Sequence, residues 1–460
     1  MRRDGNNAAT RREGYNMPSE EVVVSGAGPV GCLLALLLAE ESPKRRVVVI
    51  EKRPDPSATA GTGKTALKSI NLALSDRGRA ALRRVGLEQT LLESSVEMTG
   101  RLVHLDTGKK EVYQQYDDVD GTRSIYSVSR ETVTDVLRAR LFAKPNVQVL
   151  FGHRITAFQQ MGSRVKVTLA SDSGSQVLEC DALFGCDGTY SSVREAMSRV
   201  CRLNFHREYI EMGYSELTVE PPCTLRVNVL HIWPKEEEHG MMMIALPNTD
   251  GTFTATLFAP FATLLELQQD ANGFQAFLQK HFAECVPFLN SNAKCKAHPL
   301  FTSTVSPWTC GSAALMGDAA HAQVPFFGQG MNAGLEDALV FYEIWEQTRD
   351  WEVAMRLFDQ RRRPCGDAIT VLSLENYVEM HTSSSQWWFR ASRRIQGIVS
   401  NFLPRALVSL PLYYQVAFTR RPYHEILSEK RSGRSGWAFV AAALASVAVV
   451  AAMGLKNKAR

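Results

Sequence analysis

Residues 21–51 read EVVVSGAGPVGCLLALLLAEESPKRRVVVIE. Glu21–Ser25 is a short apolar strand, Val30–Glu40 an apolar helix and Arg46–Ile50 a second strand, which together make a βαβ unit. Gly26, Gly28 and Gly31 punctuate it as G-x-G-x-x-G. Gly26 permits the tight turn, Gly28 lets the backbone approach a pyrophosphate, and Gly31 lets helix and strand pack closely. The helix start turns its positive dipole end towards the phosphates. Glu51 closes the second strand, twenty residues after Gly31, where an acid accepts ribose hydroxyls. The stretch therefore predicts a dinucleotide site, without separating NAD from FAD.

Two later motifs bear on that choice. CDALFGCDGTYSSVR, residues 180–194, holds Asp187-Gly188 and then Ser191, Ser192 and Arg194. Its plain reading is a strand, an Asp-Gly turn and a helix capped by Ser191. GDAAHAQVPFFGQGMNAG, residues 317–334, is a glycine-rich turn feeding a helix. Its Asp318 carboxylate suits a ribitol hydroxyl. The helix start at Gly330, Met331 and Asn332 can present N–H groups to an electron-rich ring edge. A dehydrogenase using only NAD has no reason to return to its cofactor so late in the chain, so FAD is the expected tightly held, non-covalent dinucleotide. AGTGKT at 60–65 is a decoy: a phosphate-binding loop needs glycine at 58, where this chain has Ala58.

The three motifs together resemble the single-component flavoprotein aromatic hydroxylases. Longer runs resemble one branch of that family, which acts on an aromatic amino acid: KSINLALSDRG at 68–78, YSVSRE at 126–131, LHIWP at 230–234, MMIALPN at 242–248 and NYVEM at 376–380. The resemblance spans about 20–430. It implies FAD reduced by NADPH, O2 as oxidant and hydroxylation of an aromatic ring. It places cofactor contacts on Gly26, Gly28, Val30, Gly31, Glu51, Arg53, Ala73, Arg130, Asp187, Ser192, Asp318, Gly330, Met331 and Asn332. It places substrate contacts on Arg101, Asn376, Glu379, Tyr413 (with Tyr414 adjacent) and Tyr116, with Tyr113 as the alternative to Tyr116. An amino-acid carboxylate in a closed pocket needs a cation, and Arg101 offers a bidentate fork. Asn376 and Glu379 are three apart and share a helix face. Other readings stay open at this point: a flavin enzyme for a different aromatic substrate, or a non-catalytic, membrane-tethered flavin-binding protein.

The expected architecture is α/β. A Rossmann-like FAD-binding domain (20–204, resumed at 304–350) receives an inserted mixed β-sheet substrate domain over 205–303. That insert shows strand-period segments and a hairpin turn at Asn248–Gly251. A helical region follows over 351–430, with breaks expected at Pro364, Pro404 and Pro411. Residues 1–19 read as a disordered extension, lacking the apolar core of a secretory signal.

The run SGWAFVAAALASVAVVAAMGL, 435–455, carries no charge and has basic residues on both sides, including Arg434 and Lys456. About 20 such residues span a bilayer as a helix, so a C-terminal membrane anchor is expected. The basic flanks favour the mitochondrial outer membrane over the endoplasmic reticulum, with the catalytic body in the cytosol. The chain has 460 residues, net charge +4 and no long basic run, which argues against nucleic acid as a partner. Its nine cysteines are scattered and show no C-x-x-C, so reduced thiols and no zinc site are expected.

Overall fold

The computed structural model describes residues 20–56, 71–105, 110–116, 123–235, 240–290, 293–382 and 411–432, with side chains on the long C-terminal helix described as far as Val378. The anticipated N-terminal extension, the stretch AGTGKT at 60–65, the break at Pro404 and the 435–455 anchor lie outside these residues. Among the described residues no helix is long and apolar enough to cross a membrane.

A six-stranded sheet forms the centre of the first domain, in the order Thr309–Cys310, Ala313–Leu315, Ala182–Gly185, Glu21–Ser25, Arg46–Glu51, Val147–Phe151. All neighbours run parallel except the first pair. Such a sheet is buried on both faces, which is why its strands read as apolar runs: Val22–Val24 and Val47–Val49 are fully buried. The helices Pro29–Glu41 and Gly330–Thr348 pack against each other over this core. Ligands in open parallel sheets bind beyond the carboxyl ends of the strands. Four adjacent strands here end at Leu315, Gly185, Ser25 and Glu51, so the loops carrying Asp318, Asp187, Gly26–Gly31 and Glu51 emerge side by side.

A second, seven-stranded sheet has the order His298–Ser306, Asn204–Val219, Phe253–Pro260, Met241–Pro247, Val229–Lys235, Gly100–Leu105, Lys110–Gln115. It is antiparallel except for the Val229–Lys235/Gly100–Leu105 pair. The sheet thus reaches beyond the 205–303 insert: its far edge is Gly100–Leu105 and Lys110–Gln115, from the first part of the FAD-binding domain. Alternation sends Trp233, Met243, Phe253 and Leu257 to one face, under the helices Phe261–Gln269 and Ala271–His281. Leu230, Met242, Ile244, Leu246 and Phe258 point to the other face, towards the C-terminal helices.

Two expectations need correction. The helix Trp351–Thr382 runs through Pro364 without ending. An internal proline costs about 3 kcal/mol, and tertiary contacts outweigh it: Arg362 is buried in two ion pairs, and Cys365, Ile369 and Leu372 pack in an apolar cluster. The cysteines are not all reduced thiols either. Cys201 and Cys310 are joined with Cα atoms 6.4 Å apart, and the other seven are free. Their 109-residue separation hides the pairing from a spacing argument, because the fold alone brings the end of the Ser192–Ser198 helix to the edge strand.

Candidate active site

The first glycine loop is built by exclusion. Gly26 has φ +103°, and a Cβ there would lie 2.4 Å from the Cys186 carbonyl oxygen; one on Gly31 would lie 2.0 Å from the Gly26 oxygen. These two glycines let strand, turn and helix touch. A Cβ on Gly28 would meet nothing within 4 Å, so this backbone faces open space. Gly28 is the N-cap of Pro29–Glu41, with no side-chain cap and no acid in the first turn. The helix start therefore offers N–H groups to an anion. Glu51 is nearly buried. Its carboxylate accepts from Ala27 N at 2.9 Å, Arg53 N at 2.9 Å and Arg53 Nε at 2.9 Å. Burial works to raise its pKa, but the hydrogen bonds and charge of Arg53 and the Ala27 N–H hold it down at about 2.

Asp187 serves the helix that follows it. One oxygen accepts from Ser191 Oγ, and the other from Ser192 N (2.8 Å), Ser192 Oγ (3.0 Å) and Val193 N (3.1 Å). Ser191 caps the same helix through Arg194 N at 3.0 Å. Asp187 and Ser192 are thus spent on each other and on the turn.

At the third motif Gly317 has φ +58°, and its N–H donates to Asp337 Oδ2 at 3.0 Å. Val30 fills the notch between Gly317 and Gly334, whose Cβ would lie 2.7 Å from Val30 Cγ2. The first and last glycine motifs are thereby packed together. Asp318 is half-buried, and its carboxylate has no hydrogen-bond partner among the described residues. The helix Gly330–Thr348 also begins without a side-chain cap or a first-turn acid. Asn332 is fully buried: it accepts from Ser75 N at 2.9 Å and donates to Ala73 O at 2.7 Å and Gly328 O at 3.0 Å. Its amide staples strand Asn71–Leu74 to the glycine turn, with both amide hydrogens used in doing so. Met331 is half-buried, and Arg130 is exposed at the first position of helix Arg130–Phe142.

Beneath this turn lies an ionic network that sequence reasoning missed. Asp337 accepts from His321 Nε2 at 2.6 Å and Arg362 Nε at 2.8 Å; Arg362 Nη1 also reaches Glu336 at 2.9 Å. Arg77 donates to both Glu336 oxygens at 3.0 Å and to Val416 O at 3.0 Å. Burial alone would raise the Asp337 pKa, but His321 and Arg362 hold it below the usual carboxylate value. Spacing could not reveal residues at 77, 321, 336, 337 and 362 as one group. The one available signal was charge inside apolar helices.

The other end of the cleft lies on the far edge of the seven-stranded sheet. Register pairs Arg101 with Gln114 and Leu102 with Tyr113. Tyr113 therefore shares the Leu102 face, where it donates to Thr99 Oγ1 at 3.0 Å beneath Arg226. Tyr116, two residues past Gln114, returns to the Arg101 face and stacks on Tyr413 at 5.4 Å. The Arg101 Cζ sits 5.1 Å from the Tyr413 ring. Tyr414 turns away to Phe418 and Arg123. Burial raises the Tyr116 pKa well above normal, and that of Tyr413 is also raised chiefly by burial, so both hydroxyls are protonated at neutral pH, and the Tyr116 hydroxyl donates to that of Tyr413. Among the described residues the Arg101 guanidinium has no hydrogen-bond or ion-pair partner. Asn376 Nδ2 donates to Phe326 O at 2.8 Å, holding the Pro325–Phe327 turn, and Tyr377 stacks on Phe326. The Glu379 side chain lies outside the described residues.

Comparison with known proteins places this geometry. The family model described as "FAD binding domain" matches residues 19–350. Solved structures share the fold. One is 2-methyl-3-hydroxypyridine-5-carboxylic acid oxygenase, with a TM-score of 0.65 at 20% identity, covering 85% of this chain and 96% of that one. Another is Pseudomonas aeruginosa PqsL in complex with 2-aminobenzoylacetate, with a TM-score of 0.66 at 21% identity over 79% and 96%. The class is thus an FAD-binding protein on the aromatic hydroxylase scaffold. Curated kynurenine 3-monooxygenases are more similar in sequence. That of Sus scrofa is 37% identical, covering 88% of this chain and 85% of its own, and that of Flavobacterium johnsoniae is 35% identical over 89% and 91%. The chain belongs to the kynurenine 3-monooxygenase family.

Proposed function

We propose that the chain hydroxylates L-kynurenine to 3-hydroxykynurenine, using FAD, NADPH and O2. The observation that carries the substrate end is Arg101: a half-buried guanidinium with no anion of its own among the described residues, over the ring of Tyr413, on which Tyr116 stacks. An uncompensated cation of this kind calls for a ligand carboxylate. Arg101 takes the carboxylate of the amino acid, Tyr413 adds a donor with Tyr116 hydrogen-bonded to it, and Asn376 holds the Pro325–Phe327 turn beside the cleft. The apolar side chains Leu230, Ile244 and Leu246 keep water from the aromatic ring.

The residues present fit FAD. Gly28 and the uncapped start of Pro29–Glu41 would hold the pyrophosphate, Glu51 the adenosine ribose and Asp318 the ribitol. The start of Gly330–Thr348 would face the flavin edge. When bound, reduced FAD activates O2 and delivers one oxygen atom to the substrate ring. The residues 435–455 anchor the protein in the mitochondrial outer membrane, with the endoplasmic reticulum as the other candidate; the charge-free run between basic flanks supports this.

The test is purification of the full chain in detergent, followed by flavin content and NADPH oxidation with and without L-kynurenine. A yellow protein that forms 3-hydroxykynurenine bears the reading out, and a colourless or kynurenine-insensitive one overturns it. Removal of residues after 432 should release the protein from membranes; retention would overturn the anchor.

A further inference from the structure

A cavity lies on the other face of the sheet that carries Arg101. Side chains alternate across a strand, so Leu102 shows the opposite face to Arg101, and His104 shares the Leu102 face. Parallel register sets His231 beside Leu102, and antiparallel register sets Glu111 opposite His104. Together with Leu225, Trp233 and Phe288 these residues line a cavity of about 350 Å³. Nothing in the proposed hydroxylation uses it.

The polar end of the cavity is decided by a chain of hydrogen bonds. His104 and His231 are only 7% and 1% exposed, and Trp233 stacks on the His104 ring at 4.4 Å. Burial depresses both pKa values to about 4, so both rings are neutral at neutral pH. A neutral imidazole has one N–H and one bare nitrogen. His231 Nε2 lies 2.9 Å from the Arg226 carbonyl oxygen, which can only accept, so the His231 proton is on Nε2. Its bare Nδ1 lies 2.9 Å from His104 Nε2, so that nitrogen carries the His104 proton. The lone pair of His104 Nδ1 is left over, and Glu111 Oε1 stands 3.3 Å from it. Two acceptors thus face each other with no donor between them among the described residues.

The neighbouring cations are committed elsewhere. The Arg226 guanidinium lies over the Tyr113 ring at 4.9 Å, and its Nε donates to Asn228 Oδ1 at 2.7 Å. Lys235 is paired with Glu284 at 2.6 Å. A metal ion is poorly suited, because no group of three or more His, Cys, Asp or Glu side chains among the described residues is placed to hold one. An ammonium group does fit. It carries three donors and no acceptor, so one nitrogen can serve His104 Nδ1 and Glu111 together, the second through a charge-assisted bond. The walls at Leu102, Leu225 and Phe288 suit an apolar body behind that nitrogen.

We propose that this cavity binds a small primary ammonium ion with an apolar body, its nitrogen held between His104 Nδ1 and Glu111, across the sheet from Arg101. The probe is benzylammonium, with benzyl alcohol as the uncharged control of similar shape. Each is titrated by calorimetry into the full-length, FAD-loaded protein in non-ionic detergent, with L-kynurenine in excess. Benzylammonium should bind saturably at a single site, and benzyl alcohol about tenfold more weakly or worse. Glu111→Gln removes the charge and its amide supplies the missing donor, so it should weaken benzylammonium by about tenfold. The Glu111 side chain is 54% exposed on the edge strand, so this variant will fold with its FAD content and kynurenine Kd unchanged. Equal binding of the two probes overturns the proposal, since the cavity would then be merely apolar. A benzylammonium Kd in Glu111→Gln within about twofold of wild type, or no saturable binding to the wild type, overturns it as well. Glu111 faces away from Arg101, so these outcomes hold whether or not kynurenine occupies the cleft, and the functional reading stands or falls separately.

Discussion

Arg101→Ala separates binding from stability, and the structure sets both magnitudes. In the folded protein Arg101 has no ion pair to lose; its contact is the Tyr413 ring at 5.1 Å. A cation–π contact of this exposure contributes about 0.5–1 kcal/mol, so folding stability should change by no more than that. Binding should respond far more. Truncating one partner of a hydrogen-bonded charge pair costs about 2–5 kcal/mol, much of it from leaving the other charge unpaired. Arg101 is half-buried rather than sealed, which favours the lower half of that range. At about 1.4 kcal/mol per factor of ten, L-kynurenine should bind roughly 30- to 300-fold more weakly. The assay is the perturbation of flavin absorbance on titration with L-kynurenine, beside a thermal melt and FAD content. Arg101→Lys should recover only part of the affinity, since a point charge lacks the planar fork. A kynurenine Kd within threefold of wild type, in a yellow and folded protein, would refute the reasoning.

Other outcomes follow from the same geometry. Tyr116→Phe should weaken kynurenine binding by about 1 kcal/mol, the net value of one hydrogen bond, whereas Tyr113→Phe should leave it unchanged; titration of both variants checks the register argument. Gly31→Ala should abolish folding, because its methyl group meets backbone, whereas Gly28→Ala should fold and lose FAD affinity, read by flavin fluorescence after dilution. Asp337→Ala strands Arg362 and His321 and should destabilise the fold by about 3–5 kcal/mol, measured by denaturant unfolding. His104 and His231 are hydrogen-bonded to each other at 2.9 Å, and burial depresses both pKa values from 6.5 to about 4. The unfolded chain then binds more protons between these values, so stability should fall as pH drops from about 6.5 to about 4. His231→Gln should flatten that slope in melts across the range.

Much of the fold was legible because local geometry forced it. The glycine spacing at 26, 28 and 31 describes one turn, and the turn dictates strand before and helix after. The hairpin at Asn248–Gly251 was equally local. Strand order was not, because nothing in GRLVHL at 100–105 says that it will lie parallel to Val229–Lys235, more than a hundred residues on. Pairing of that kind is decided by which apolar faces are left to cover, a property of the whole chain. Tyr116 and Tyr113 could not be separated by sequence for the same reason: the register that assigns their faces comes from the partner strand. Pro364 misled because propensity is a weak local term, overridden by buried ion pairs on both Glu336 and Asp337.

Asn332 and Asn376 show a subtler limit. Both were read as ligand-facing from resemblance, and both sit beside the cleft, yet their amides are committed to protein carbonyls: Asn332 to Ala73 and Gly328, Asn376 to Phe326. A buried amide that satisfies backbone acceptors fixes the loop carrying them, and here those loops are the glycine turn and the Pro325–Phe327 turn. Asp187 does the same for the helix at Ser192. A residue that touches a ligand and one that holds the loop touching it look alike in a motif, since both must stay for the site to work. They part company under substitution. Loss of a contact lowers affinity in a protein of normal stability, whereas loss of a staple lowers stability and affinity together. Asp318, with a half-buried carboxylate and no partner among the described residues, belongs to the first kind on this criterion, and Asn332 to the second. Asp318→Ala should therefore shed FAD while the apoprotein melts as the wild-type apoprotein does; Asn332→Ala should lower the melt of the apoprotein itself.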